Sequence, residues 1–384
     1  MKKICICTTV SVTMKAFVVE TAKYLHNECG YDVTLICNED GAFEKSLPKY
    51  LHFTPVHMAR GIDLSALKSV CQLYKIFKKN KFDMVQYSTP NASCYASIAA
   101  KLAKVSIRLY CQWGIRYVGM HGFYRKIFKS IEKMVCTNST DVRAVSPLNK
   151  EFAVSEGLYQ SKKATVVGNG GTIGVDLSEY NLKSKNIWRD KTRKEYKLNS
   201  NDFVFGFSGR VSIDKGCKEL LSAFKELEAT QENIKLLIVG PLEDNCGLDD
   251  ELINWARSSE NVIMTGMVSK EKMREYYSAM DVLVHPTYRE GFGMVIQEAG
   301  ALAVPVITTQ IPGASEVMEN GVSSIHIKAK DKQELFKVML NIAITPKTAS
   351  IMGEKAYERT KQLYERNIML EHQKLDYKKL LEGE

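Results

Sequence analysis

The chain has 384 residues, of which 45% are hydrophobic and 25% are charged, a balance typical of a globular protein. No apolar run reaches the roughly 18 residues of a membrane-spanning helix, and no signal-peptide cleavage site follows the basic start. The ten cysteines are scattered and form no CxxC pair, so reduced thiols in a cytosolic protein are expected. The formal net charge of +9 suits nucleic acid, an anionic membrane or an anionic substrate, and it does not choose among them.

Strand-like and helix-like segments alternate in the first part of the chain. The expected strands are 4–8, 33–37, 51–56, 84–87, 107–111 and 142–145. The expected helices are 15–27, 64–78, 92–102, 123–135 and 147–156. Because the strands are nearly continuous apolar runs, the alternation predicts a doubly wound parallel sheet, covered on both faces, in a domain of residues 1–167.

A glycine-rich stretch at 166–177 and a polar, aperiodic stretch at 181–201 interrupt the alternation, so residues 168–202 are predicted to be a hinge and linker. The alternation restarts in a second domain, residues 203–349. Its expected strands are 203–210, 235–240, 261–266, 281–285, 305–309 and 324–327, and its expected helices are 217–227, 252–258, 270–280, 294–303 and 332–344. A lysine-rich helical tail, residues 350–384, follows.

A basic loop comes after the strand that opens the second domain. It reads Gly209-Arg210-Val-Ser-Ile-Asp-Lys215-Gly216. In sheets of this kind, ligands bind at the carboxyl ends of the parallel strands. Arg210 can bind phosphate oxygens through two N–H groups and Lys215 adds a mobile charge, so together they can neutralise a pyrophosphate. The alternative is that both are solvated cations beside a turn.

Residues 285–307 have the pattern of a second anion site. A β-branched run ends at Pro286, a Gly-Phe-Gly turn follows, and a helical pattern starts near Gly293. The N–H groups at the start of that helix favour an anion. Glu290 and Glu298 flank this position, where carboxylates suit the hydroxyl groups of a sugar nucleotide. The alternative is that Glu290 is a turn residue and Glu298 a helix-surface residue.

The two motifs together, Gly-Arg…Lys-Gly and Glu290-Gly-Phe-Gly…Glu298-Ala, resemble those of the retaining glycosyltransferases of family 4. Two glutamates with seven residues between them are that family's signature, and the resemblance covers nearly the whole chain. It implies the GT-B fold, in which two doubly wound, Rossmann-like α/β domains face a cleft. It also implies a C-terminal helix that crosses back and packs on the first domain.

The resemblance assigns roles in the second domain by position. Arg210 and Lys215 would hold the donor diphosphate. Glu290 would face the donor sugar, and Glu298 would hydrogen-bond the ribose. The other donor-side positions are Phe292, the backbone N–H groups of Gly293, Met294 and Val295, and Val268 beside the nucleobase. The acceptor would then bind the first domain.

The implied reaction is the transfer of a sugar from a nucleotide-sugar with retained anomeric configuration, through an oxocarbenium-like transition state. Catalysis would consist of electrostatic support of the leaving group and positioning. No metal motif of the DxD type lies in a convincing loop, so neither a metal nor an organic cofactor is expected. The expected donor is a UDP-hexose or UDP-N-acetylhexosamine. The expected acceptor is a polyprenyl-diphosphate-linked glycan of capsule, O-antigen or exopolysaccharide synthesis.

Two departures from the family concern the first domain. Family members often have a glycine-rich loop after the first strand, and its backbone N–H groups lie near the donor phosphate. The corresponding loop at 8–15 has no glycine, so hydroxyl groups such as that of Thr13 are expected to replace those N–H groups. Trp113 stands where many members have a histidine, so no catalytic histidine is expected at that position. Arg116 and Tyr117 resemble a variant in transferases of bacterial surface polysaccharide, and with Thr13 and His121 they are the acceptor-side candidates. The alternatives are a salt bridge to a neighbouring loop for Arg116 and no role for His121.

Residues 121–135 have the pattern of a basic amphipathic helix. Its apolar face consists of Tyr124, Ile127, Phe128, Ile131 and Val135, and the cations off that face are Arg125, Lys126, Lys129 and Lys133. Such a helix can lie on an anionic membrane, which predicts a peripheral protein at the inner face of the cytoplasmic membrane. The alternative is that the apolar face packs on the sheet and the lysines are only solvated.

Two alternatives to a glycosyltransferase are a GT-B epimerase and a basic nucleic-acid-binding protein. An epimerase needs a water-activating site, for which the sequence offers no candidate. A glycogen-type phosphorylase needs a lysine for pyridoxal phosphate and a much longer chain. A nucleic-acid-binding protein needs a recognisable motif or basic surfaces with aromatic residues. The lysines here lie on helix faces without such a motif, so no nucleic-acid partner is predicted.

Overall fold

The computed structural model describes residues 1–59, 65–243 and 246–383. The contacts within it divide the chain into two compact units. Unit 1 consists of Met1–Ile173 and Asn367–Glu384, and unit 2 consists of Gly174–Arg366. Each unit contains a parallel sheet and helices, which confirms the predicted pair of doubly wound α/β domains.

The strands of unit 1 are β1 Lys3–Cys7, β2 Asp32–Cys37, β3 His52–Pro55, β4 Met84–Tyr87, β5 Ile107–Gln112, β6 Asp141–Ala144 and β7 Ala164–Thr165. Among the described residues they form a seven-stranded sheet in the order β3-β2-β1-β4-β5-β6-β7. Ile4 and Ile6 belong to one hydrophobic core, and Cys5 and Cys7 belong to another. Because successive side chains of a strand point to opposite faces, β1 contributes to a core on each side of the sheet.

The helices of unit 1 are α1 Ser11–Phe17, α2 Val19–Cys29, α3 Gly41–Ser46, α4 Ala66–Asn80, α5 Pro90–Leu102, α6 Gly122–Asn138, α7 Pro147–Ser155 and the C-terminal α15 Arg366–Glu382. The single helix predicted at 15–27 is two helices, because Val18 leaves the helical region with φ −123°. The short α3 was not predicted. The Asp40 side chain caps it by accepting hydrogen bonds from the N–H groups of Ala42 and Phe43 at 3.1 and 3.0 Å. Leu64, the first residue of the predicted helix 64–78, lies outside the described residues.

The strands of unit 2 are β8 Phe203–Ser208, β9 Ile234–Val239, β10 Val262–Met264, β11 Val282–His285, β12 Val306–Thr309 and β13 Ser324–Ile327. In the part of the chain that the structure describes, they form a six-stranded sheet in the order β10-β9-β8-β11-β12-β13. The helices are α8 Lys185–Glu195, α9 Cys217–Glu228, α10 Asp250–Ser258, α11 Met273–Ala279, α12 Met294–Ala301, α13 Lys332–Ile344 and α14 Pro346–Leu363. The central β8 and β11 are neighbours, so the loops that follow them lie side by side.

Helix α8 lies where the sequence predicted a linker without regular structure. Its Arg189 and Arg193 donate to the two carboxylate oxygens of Asp281 at 2.6 and 2.7 Å, just before β11. The helix is therefore fixed to unit 2 largely by charge-assisted hydrogen bonds. A helix held in this way lacks an apolar stripe, which is why hydrophobic periodicity did not reveal it.

The helical tail belongs to both units, although the prediction placed all of residues 350–384 on the first domain. Helix α14 is part of unit 2, where Arg359 donates to the carbonyl oxygen of Val317 at 2.8 Å. Only residues from Asn367 onward belong to unit 1. There Asp376 of α15 accepts from Nε of Arg143 at 2.8 and 2.9 Å. A helical pattern alone does not reveal which sheet a helix packs against.

Candidate active site

Three loops at the carboxyl ends of β8, β9 and β11 form the candidate site in unit 2. They are residues 209–216, 240–243 and 285–293, and they surround the start of α12. Parallel strands direct their carboxyl ends to one edge of the sheet, and the strand order reverses near β8. The two motifs found in the sequence are therefore neighbours in space.

The carboxylate of Glu290 is the centre of this site. Lys215 donates from Nζ to Glu290 Oε2 at 2.9 Å, and His285 lies with Nε2 3.0 Å from the same oxygen. The N–H of Gly291 donates to the other oxygen, Oε1, at 3.1 Å. The side chains of Lys215 and Glu290 are each 19% exposed, so the pair is mostly withdrawn from water but still accessible.

The protonation states of this cluster follow from its surroundings. Burial alone would raise the pKa of Glu290, but the hydrogen bond from His285 and the charge of Lys215 hold that pKa well below its usual range. Burial lowers the pKa of His285, against the opposing effect of Glu290. Near neutral pH, Glu290 is therefore a carboxylate and His285 is a neutral imidazole that donates from Nε2.

Two glycines hold the loops close together. Gly216 has φ +72°, and a Cβ atom there would lie 2.0 Å from the carbonyl oxygen of Pro286. Gly313 has φ +81°, and a Cβ atom there would lie 2.2 Å from the carbonyl oxygen of Gly291. Any other residue would clash with backbone atoms and would be strained at these angles. Gly216 therefore allows the Lys215 loop to approach the Glu290 loop closely, and Gly313 does the same for the loop after β12.

Arg210 is half exposed and is already paired with carboxylates. Its Nη1 donates to Glu243, and its Nη2 lies 3.8 Å from Asp214. Asp214 also accepts from Nη2 of Arg289 at 3.1 Å. The loop is basic in sequence, but these carboxylates balance its charge locally. A bound diphosphate would therefore compete with them for the cations.

The start of α12 is only partly available to an anion. The N–H of Gly293 donates to the carbonyl oxygen of Gly313 at 3.2 Å, so the predicted phosphate contact there is already occupied by protein. The N–H groups of Ile296 and Gln297 both donate to the carbonyl oxygen of Gly293. Met294 and Val295 lie in the first turn of α12. A contact from either of them to a phosphate stays a prediction.

Phe292 is buried rather than exposed in the loop. Its ring packs edge-on against Tyr364, with the ring centroids 5.6 Å apart. Tyr364 follows α14 directly, so the contact ties the glutamate loop to that helix. A contact from Phe292 to a donor would therefore come from its backbone.

Glu298 lies on α12 beside a chain of hydroxyl groups. Tyr277 donates to Glu298 Oε2 at 2.9 Å, and the Tyr277 hydroxyl lies 3.0 Å from that of Ser208 at the end of β8. Burial raises the pKa of Glu298, and the hydrogen bond from Tyr277 opposes that rise. Val268 is half-buried in the loop after β10. In the same loop, the carbonyl oxygen of Gly266 accepts a hydrogen bond from the N–H of Gly240.

The acceptor-side candidates are in unit 1. Thr13 is half-buried on α1, and His121 is exposed at the start of α6. The guanidinium of Arg116 lies 4.7 Å from the ring centre of Phe128, and no salt bridge to Arg116 occurs among the described residues. Tyr117 is fully buried, so its side chain is a core residue. A role in acceptor binding stays a prediction for all four.

Sequence reasoning missed several residues of the site. The sequence predicts His285 only as the end of a strand, and it gives no signal for a role of Asp214, Glu243, Arg289 or Tyr277. The polar residue type of His285 at the end of an apolar strand was a usable signal, because buried polar groups need partners. The others pair across loops that sequence spacing does not bring together.

Among the described residues, no group of three or more His, Cys, Asp or Glu side chains could hold a metal ion. Metal independence stays a prediction.

Two family models match the chain in succession. The one described as "Glycosyl transferase 4-like" matches residues 3–146, and the one described as "Glycosyl transferases group 1" matches residues 189–359. The second match includes both motifs of the candidate site, from the basic loop to Glu298.

Relatives in bacterial polysaccharide synthesis match most of the chain. The capsular polysaccharide biosynthesis glycosyltransferase CapM of Staphylococcus aureus is 30% identical over 341 residues, which is 88% of each chain. The UDP-Gal:alpha-D-GlcNAc-diphosphoundecaprenol alpha-1,3-galactosyltransferase of Escherichia coli is 24% identical over 84% of this chain and 83% of its own. Both matches run through the two units.

The fold is also similar to that of solved structures. HepE of Anabaena, in complex with UDP and glucose, aligns with a TM-score of 0.80 over 98% of this chain and 99% of its own, at 19% sequence identity. At this identity the likeness concerns the fold alone, and it confirms the GT-B fold.

Proposed function

This chain belongs to the group 1 glycosyl transferases, and we propose that it transfers a sugar from a UDP-sugar to a lipid-linked glycan acceptor during the assembly of a bacterial surface polysaccharide. The observation that carries the proposal is the cluster in which Lys215 and His285 converge on the buried carboxylate of Glu290. Such a cluster combines a mobile cation for a phosphate with a fixed negative charge for a reacting sugar.

The donor is proposed to bind unit 2 through its diphosphate. Arg210 and Lys215 exchange their carboxylate partners for phosphate oxygens, and Met294 and Val295 lie at the helix start beside them. Glu298 accepts hydrogen bonds from the ribose, with Tyr277 behind it. A UDP-sugar is favoured because the E. coli relative is described as using UDP-Gal and HepE was solved with UDP.

The proposed reaction retains the configuration of the anomeric carbon. The bond from that carbon to the β-phosphate oxygen breaks, and its electron pair leaves with UDP. The acceptor oxygen forms the new bond on the same face, and its proton passes to the β-phosphate. Arg210 and Lys215 neutralise the leaving group without a metal, and Glu290 lies beside the positive charge that develops on the sugar.

The acceptor is proposed to bind unit 1 and to carry a polyprenyl diphosphate. The E. coli relative is described as acting on a diphosphoundecaprenol-linked sugar. Arg116 is the proposed contact for an acceptor phosphate, because its side chain is partly exposed and its guanidinium has an aromatic rather than an acidic neighbour. His121 and Thr13 are the further acceptor-side candidates.

The proposed membrane contact is on α6. Arg125 and Lys129 of the predicted patch are both paired with Glu156, at 2.8 and 2.9 Å. Lys126 and Lys133 are exposed, and Phe123 and Tyr124 are 74% and 70% exposed. Two exposed cations and two exposed aromatic rings on one helix favour contact with an anionic lipid surface. No helix in the described residues has the length and hydropathy of a membrane span.

Nucleotide binding is the first test of the proposed function. In the presence of EDTA, UDP is expected to raise the thermal midpoint of the protein, and GDP and ADP are expected to have smaller effects, because a ligand bound only by the native state stabilises it. Arg210→Ala is expected to weaken UDP binding about tenfold, about 1.4 kcal/mol. Arg257→Ala, a change of the same type on the exposed face of α10, is the matched control. Equal UDP affinity in both variants would remove Arg210 from the phosphate site.

Membrane binding is tested with vesicles that contain phosphatidylglycerol. Reversing two charges with Lys126→Glu and Lys133→Glu is expected to lower partitioning at least about 30-fold, since each basic residue near an anionic surface contributes about 1 kcal/mol. Lys347→Glu with Lys355→Glu on α14 makes the same change in net charge elsewhere. If both double variants lose binding equally, net charge and not this surface accounts for the attraction.

A further inference from the structure

We propose that His285 is a positioning residue for the transfer reaction: its Nε2–H group holds the carboxylate of Glu290 in place when the donor diphosphate draws Lys215 away. This inference rests on the proposed function, and it assigns a role to a residue that neither sequence motif includes.

His285 is held rigidly at the end of β11. Its side chain is 2% exposed. Its carbonyl oxygen accepts from the Thr308 hydroxyl at 3.1 Å, and the two residues pair in the ladder of β11 and β12. The ring is therefore carried by the central sheet of unit 2. A hydrogen-bonding side chain on a strand keeps its position when the neighbouring loops adjust to a ligand.

The tautomer of His285 follows from its contacts. Nε2 lies 3.0 Å from Glu290 Oε2, whereas Nδ1 is buried and has no hydrogen-bond partner among the described residues. A carboxylate can only accept, so the proton is on Nε2. Burial favours the neutral ring, and Glu290 and Lys215 are the charged groups that act on it. His285 is thus a neutral donor of one hydrogen bond.

Lys215 and His285 share one oxygen of Glu290 but differ in mobility. Lys215 lies on a loop, at the end of a flexible four-carbon stem, and it is the proposed ligand of the diphosphate. When Lys215 turns to a phosphate, Oε2 loses its cation. His285 then remains the side-chain donor to that oxygen, while Gly291 still bonds Oε1. Without His285, the carboxylate would keep the Gly291 bond to Oε1 but would have no side-chain donor at Oε2, and its pKa would rise.

The test compares two replacements of His285 in the full chain, with a UDP-sugar as donor. His285→Leu removes the N–H group that donates a hydrogen bond to Glu290, whereas His285→Gln places an amide N–H near the former Nε2. In His285→Leu, kcat is expected to fall about 10- to 100-fold, as when partners that orient a functional group are removed, with UDP affinity within threefold of wild type. The acid limb of the pH–kcat profile is expected to move to higher pH, because the pKa of Glu290 rises. In His285→Gln, kcat is expected to recover to within about threefold, and His326→Gln is the matched control in the same sheet.

A second measurement uses the wild-type protein and does not depend on how the variants fold. The nitrogen chemical shifts of His285 are expected to show a protonated Nε2 and an unprotonated Nδ1 between about pH 6 and 9. A proton on Nδ1 would overturn the proposal. So would wild-type kcat and an unchanged acid limb in folded His285→Leu, which would leave the proposed function standing. Absence of any sugar transfer by the wild type would instead overturn the proposed function, and this role with it.

Discussion

Glu290→Gln is expected to lower kcat about 100- to 1,000-fold while the protein stays folded. The carboxylate is ionised, and it would lie beside the positive charge that develops on the donor sugar. Glutamine has the same shape and still accepts from Lys215 and His285 through its carbonyl oxygen, but it carries no charge. The loss is therefore expected in the transition state, with the donor KM changed less than kcat.

The measurement is the rate of sugar transfer at saturating donor, together with the thermal midpoint of each protein. Glu232→Gln, which neutralises an exposed glutamate in the same unit, is the control for the change in net charge. A kcat near that of the control would remove Glu290 from the catalytic site. A loss of folded protein in Glu290→Gln alone would show instead that the cluster serves mainly stability.

Asp376→Ala is expected to destabilise unit 1 by about 3–5 kcal/mol, because it leaves a buried guanidinium without its partner. The side chain of Arg143 is 9% exposed, and its Nε donates to both carboxylate oxygens of Asp376 at 2.8 and 2.9 Å. Asp141 is a weaker partner, because its Oδ1 lies 4.0 Å from Nη1 of Arg143 and its side chain is one-third exposed. The pair joins strand β6, next to the edge of the sheet, to the C-terminal helix α15, so its loss is expected to release that helix.

The double variant Arg143→Met with Asp376→Leu separates an unpaired charge from lost packing. It removes both charges and keeps apolar volume, so its stability is expected to stay within about 1–2 kcal/mol of wild type. The chain has three tryptophans, so Trp188→Phe and Trp255→Phe leave Trp113 as the one fluorescent tryptophan, in unit 1. Its fluorescence then reports the unfolding of unit 1 in urea. Equal destabilisation of both variants would show that α15 depends on packing and not on the ion pair.

The elements that the sequence predicted well are those with a local pattern. The strand Met84–Tyr87 has the predicted bounds, and α13 Lys332–Ile344 has them too. Helix α8 was missed because its attachment to Asp281 is ionic, and the split between α1 and α2 was missed because it depends on the dihedral angles of one residue. Periodicity detects burial of an apolar face and does not detect these features.

The candidate site shows the same limit. Glu290, Glu298, Arg210 and Lys215 were identified from short motifs, because each motif combines glycines with charged residues in a few positions. Their partners were not identified. The structure pairs Gly293 with Gly313, packs Phe292 on Tyr364 and buries Tyr117. Each of these contacts removes a group that the sequence left available for a ligand.

By itself, the sequence determined that the chain has two doubly wound α/β domains, two motifs of glycines and charged residues in the second domain, and membership in a glycosyltransferase family. These properties depend on residue types over short stretches, where alternation and turn residues act locally. Only the tertiary structure decided that Lys215 and Glu290, 75 residues apart, meet with His285 on one oxygen, and that Arg143 and Asp376, 233 residues apart, form a buried pair. Such contacts depend on the order of strands in a sheet and on the packing of distant helices, and no local spacing fixes either.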